Sequence, residues 1–173
     1  NYSSDEVFVT MVIAVLFLAS GYFVGGAAGD WLFKRTPRGR LIVSSIAVLL
    51  GAILLVLTIH VPIDNRLLFG IMLSVTALFI PFASPNMIST VYDITLPEVR
   101  STAVSVQLFI ESGGAALAPL LAGLIAVKSS LSNAILLICT TTWVLCSIFY
   151  AVAAYLAPRD VALLREQMRE RAA

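Results

Sequence analysis

The sequence predicts an all-α fold, a polytopic transmembrane bundle of five helices. Its 173 residues are 60% hydrophobic and only 12% charged, with a mean hydropathy of +0.98; ordinary soluble domains carry about 25% charged residues. The few charges fall between five long apolar stretches, each meeting the ~20 residues that a helix needs to cross a bilayer. The bases gather in alternate connections. With a net charge of +1 and no basic face on a folded domain, nucleic acid is excluded as a partner. No P-loop, HExxH or metal-spaced cysteine–histidine set occurs, so no cofactor, metal site or enzymatic chemistry is expected.

The spans follow in order. The first, 7–29, contains no charge; Asp5 and Glu6 precede it, whereas a signal peptide would be shorter and preceded by bases. The second covers 41–61. The third, 67–92, is expected to be irregular, because Pro81 and Pro85 each remove a backbone donor and crowd the preceding turn. Such a break is tolerated where protein or a water-filled cavity satisfies the freed carbonyls. Ser84, Asn86, Ser89, Thr90 and Tyr92 cluster just after it. The fourth and fifth spans are 101–127 and 131–157. Residues 1–158 thus form the bundle, and 159–173 a cytoplasmic amphipathic tail. Pro158 suits the first turn of a short tail helix, whose Leu163, Leu164 and Met168 would rest on the membrane surface.

Small residues forecast which helices approach closely. Gly21, Gly25 and Gly29 repeat every fourth position, as do Gly114, Ala118 and Ala122, with Gly123 alongside. Lipid gives helices no hydrophobic reason to associate, so close backbone packing through small residues takes its place. Cys139 and Cys146 lie seven residues apart, roughly 10 Å along one helix. That is too far for a disulfide, and both read as packing residues.

Orientation follows from counting. Placing the 30–40 loop inside also puts the 93–100 loop and the tail inside. These regions hold nine of the eleven bases, leaving Arg66 and Lys128 outside. The positive-inside rule therefore sets the N-terminus outside and the C-terminus in the cytoplasm. Asn1–Tyr2–Ser3 fits a glycosylation sequon on the outer side, a frequent chance match.

Two constellations carry candidate chemistry. Glu111 stands alone in an otherwise uncharged span, and a carboxylate near the bilayer centre costs about 2.5–3.5 kcal/mol on insertion scales. Such a residue faces a cavity or a partner. Gln107 lies one turn earlier on the same face. The functional reading is a proton- or cation-coupling site or a contact to a polar substrate; the structural reading is a hydrogen bond to a neighbouring helix. The second constellation is Asp30 with Lys34, Arg35, Arg38 and Arg40. An acid at a helix C-terminus opposes the macrodipole, so a base or another helix N-terminus must compensate it. Asp93, Glu98 and Arg100 are further candidates to pair with this cluster, and His60 reads as a solvated interfacial histidine.

These residues resemble the major facilitator superfamily (MFS) of secondary transporters. Gly26, Asp30, Lys34 and Arg35 match its loop pattern of glycine, acid and basic pair, although Trp31 stands where the family commonly has a base and Phe33 where it has glycine. Pro97–Glu98–Val99–Arg100–Ser101–Thr102–Ala103 looks like the segment leading into a later helix of each half. Gly114, Ala118, Pro119, Ala122 and Gly123 are similar to that helix's glycine–proline pattern. The resemblance implies an MFS-like half, with this chain supplying helices 8–12 of twelve; helices two to six of the first half fit nearly as well, since the halves are repeats. It further implies alternating-access transport of a small solute, coupled to a proton or cation, in a bacterial cytoplasmic membrane. Asp30, Lys34 and Arg35 would close the cytoplasmic side, and Glu111, Gln107, Ser84, Asn86 and Tyr92 would face the pathway. The partners expected are the lipid bilayer, a small-molecule substrate and the transporter's remaining helices. The alternatives are a non-transporting scaffold or sensor and, less favoured, a polytopic membrane enzyme.

Overall fold

A computed structural model describes residues 3–62 and 64–172. Every regular element among them is helical, and five helical stretches are long and apolar enough to cross a membrane, as in a multi-pass membrane protein. Asn1 and Tyr2, and with them the sequon, lie outside the described residues.

α1 spans Ser4–Phe33. Its start is a capping box: the Glu6 amide donates to the Ser3 hydroxyl at 3.2 Å, and the Ser3 amide donates to the Glu6 carboxylate at 2.9 Å. Glu6 also meets Arg66 at 2.7 Å. α2 covers Gly39–Ile59. The turn between the two is tight because Gly39 sits against the backbone of Leu32 and Phe33, where a Cβ would not fit.

The third span is broken where the prolines predict. α3 runs Arg66–Phe79, a 3-10 turn takes Ile80–Phe82, and α4 continues over Ala83–Ile94. α1 lies along this break. A Cβ on Gly21 would overlap the Leu78 carbonyl, one on Gly25 the Phe82 backbone, and one on Gly29 the Asn86 amide. The every-fourth-residue ridge is therefore the surface that admits the irregular helix. Asn86, 1% exposed, locks the contact: its Nδ2 donates to the Gly25 carbonyl at 2.9 Å and to the Phe82 carbonyl at 2.8 Å.

Elsewhere hydroxyls join helices, a use that lipid favours because it offers no competing partner. The hydroxyls of Thr58 on α2 and Thr76 on α3 lie 3.0 Å apart and buried. α6 spans Leu131–Ala172 and packs mainly on α2. Ser45 and Ser147 exchange hydroxyl-to-carbonyl bonds of 2.8 and 2.9 Å between these two helices, near a small core of Leu41, Ala154 and Ala157.

α5, Arg100–Lys128, differs from the others. It touches chiefly α6 and α4, and none of its residues is buried. Gly113, Gly114 and Gly123 have no atom within reach of an added Cβ. Gly114 and Gly123 of the second small-residue ridge thus make no close helix contact among the described residues, while Ala118 and Ala122 are half-buried.

The tail also departs from expectation. Pro158 lies inside α6 instead of opening a separate helix. A proline there loses one backbone bond and bends the axis, but Ala154, Ala157 and Val161 on both sides of it are buried, so packing carries the helix through. Near its end Arg171 pairs with Glu98 at 2.7 Å, which brings the tail to the 93–100 loop.

Candidate functional site

The break at Ile80–Phe82 opens a cavity of about 260 Å³ between α2, the broken span, α5 and α6. Its walls include Phe79, Ser84, Glu111, Trp143 and Tyr150. Gly51 lies beside the indole: a Cβ there would stand 3.6 Å from the Trp143 ring, in ordinary van der Waals contact. Glu111 supplies the charge. Gln107 Nε2 donates to Glu111 Oε1 at 2.9 Å, the contact expected for polar residues four apart on a helix. The Gln107 carbonyl oxygen is buried without a partner among the described residues. Among the described residues no arginine, lysine or histidine lines the cavity. The arrangement offers acceptors and aromatic faces, able to hold a proton or a positively charged group.

Of the five expected pathway residues, Ser84 and Glu111 line this cavity and Gln107 supports Glu111. Asn86 and Tyr92 do not. Asn86 is committed to packing between α1 and α4, and the Tyr92 ring and carbonyl are engaged by Arg100, whose Nη2 donates to that carbonyl at 3.0 Å. Trp143, Tyr150 and Phe79 were missed. Trp143 and Tyr150 are seven residues apart, which places them two turns apart on one helix face, and that spacing was the available signal.

A larger groove, about 620 Å³, lies between α1 and α3 at the Glu6–Arg66 end. Its walls are mostly aliphatic, and the hydroxyls of Thr10 and Ser74 are bonded to carbonyls of their own helices. Its charged groups, Asp5 and the paired Glu6 and Arg66, sit at one end, whereas the smaller cavity sets a carboxylate among aromatic side chains and is the candidate site.

At the opposite end of the molecule the second constellation forms around a residue that the loop pattern had not singled out. Arg40 reaches Asp30 at 2.7 and 2.9 Å and also pairs with Asp93, joining α1, α2 and α4. Asp30 at the C-terminal end of α1 and Arg40 in the first turn of α2 each oppose their own helix dipole. Each compensates the other, and the misplacement of both charges was the sequence signal. The pairing of Asp93 with the basic cluster agrees with expectation. Of the expected gate residues, Gly26 faces Pro85, whose ring would lie 3.6 Å from a Cβ added there, and the Arg35 guanidinium stacks on Trp31 at 4.1 Å. Lys34 caps α1, and no ion pair joins it to Asp30 among the described residues. The two aromatic departures from the loop pattern have a use here: Trp31 carries Arg35, and Phe33 carries Arg40 at 4.2 Å.

Cys139 and Cys146 are free, and His60 is exposed with Nδ1 2.7 Å from the Val56 carbonyl. No cluster able to hold a metal occurs among the described residues. The chain matches no protein-family model, and no curated protein matches it.

Proposed function

We propose that this chain is part of an MFS-type secondary transporter that moves a small solute by alternating access, with Glu111 as its coupling residue. The observation that carries the reading is a lone carboxylate facing a cavity at the break of an apolar helix, with no base beside it. Intramembrane carboxylates placed this way mark ion or substrate pathways, and discontinuous helices at the midplane frame such sites in secondary transporters. The Arg40–Asp30–Asp93 clamp is the closing element of the cytoplasmic side, with Arg35 held ready on Trp31. The open glycine ridge of α5 supports further helices packing there, as a second half of the transporter would.

The reading is tested by reconstituting the full-length protein in proteoliposomes with a pH dye inside and adding candidate solutes. Native protein is expected to move protons with its solute. Glu111→Gln should abolish proton movement with the solute, because an amide side chain has no proton to take up and release. Unchanged coupling in the variant refutes the role of Glu111. Absence of any solute or proton movement in the native protein favours a scaffold or sensor instead.

A further inference from the structure

We infer that the Glu111 cavity takes a small organic cation, one with an ammonium or quaternary ammonium head; this rests on the transporter reading and names the class of its solute. Charge excludes anions. Among the described residues Glu111 is the one charged side chain on the wall. An anion would face acceptors and a like charge in a weakly screened site. Calcium is disfavoured by the number of side-chain ligands. Calcium requires six to eight oxygens, whereas the cavity wall has only Glu111, Ser84 and Tyr150 as oxygen-bearing side chains.

A neutral apolar molecule would fill the space yet leave the carboxylate with the Gln107 amide but no counter-charge, which is costly. A cation satisfies both parts of the wall. The faces of Trp143, Tyr150 and Phe79 carry the negative lobes of their quadrupoles, the recognition used for quaternary ammonium groups. Glu111 then supplies the full counter-charge. The volume, about 260 Å³, lies just below the range of drug-sized pockets, so the solute is small.

The test uses the chain in lipid nanodiscs, in a Trp31→Phe background that leaves Trp143 the only tryptophan. Benzyltrimethylammonium is titrated against the emission of Trp143, and neopentylbenzene, its uncharged isostere, serves as the control. The expected result is a saturable change with the cation and at least about tenfold weaker binding of the isostere, as a charge-dependent aromatic site requires. Glu111→Gln should weaken the cation about tenfold, whereas Glu111→Asp should keep most of the affinity. Circular dichroism confirms that both variants retain the helices, and the aspartate variant decides the matter if glutamine disturbs folding. Equal binding of the isostere, undiminished binding to Glu111→Gln, or no saturable binding overturns the inference. A protein that fails here but still carries protons with another solute loses only the cation; one that binds the cation but moves nothing loses the transporter reading instead.

Discussion

α1 and α5 carry small residues at the same four-residue interval, yet they meet opposite fates. Gly21, Gly25 and Gly29 press against backbone and side chains of the broken span, leaving no space for a methyl group. Among the described residues nothing lies within 4 Å of a Cβ placed on Gly114 or Gly123. Spacing states that a helix can be approached closely; it does not state by what. A partner is specified only when the opposing surface is irregular enough to need the room, as the Ile80–Phe82 turn does.

The sharpest way to break this contrast is to place the same methyl on each ridge. Gly21→Ala should destabilise the chain by about 3 kcal/mol, the upper end of overpacking costs, because the obstacle is the Leu78 backbone and cannot swing aside. Gly114→Ala should leave it within about 0.5 kcal/mol, as surface changes do. Unfolding in detergent, followed by helical circular dichroism, measures both. Equal effects would show that the ridges are not different. Gly114→Leu extends the test: tolerance in this chain with damage in a larger assembly identifies α5 as a surface covered by further helices.

A smaller effect is expected of the residue that fastens the packed ridge. Asn86→Ala removes the donor to the Gly25 carbonyl and leaves a void, which should cost about 1–3 kcal/mol in the same unfolding measurement. A negligible change would mean that glycine packing alone holds α1. Smallest is Ser147→Ala, which takes one hydroxyl from the α2–α6 pair. Intramembrane hydrogen bonds average about 0.6 kcal/mol, and a loss well above that would show that the serine exchange, more than apolar contact, fixes α6.

Five spans were legible because runs of apolar residues bounded by charge admit few other folds, and the break in the third because two prolines four apart leave carbonyls without donors. Glu111 and Gln107 were legible from isolation and helical spacing. Tyr92 and Asn86 lie away from the Glu111 cavity, and the sequence could not show it: polar residues after a break look alike, whether they face a cavity, a neighbouring helix or an arginine. Only the azimuth of each helix separates these fates, and tertiary packing sets it. Pro158 was misread as a helix start because local preference favours that position, while the buried Ala154, Ala157 and Val161 outweigh it. Arg40 lay in plain view among four bases, with its position against a helix dipole as the distinguishing mark.

That arginine serves two acids of unequal exposure. Its own side chain is 15% accessible, Asp93 is 25% and Asp30 is 58%. Dissolved ions weaken exposed pairs far more than sheltered ones. The grip on Asp30 is therefore the first to loosen and the grip on Asp93 the last, so added salt unties the ionic link between α1 and α2 before the one between α2 and α4.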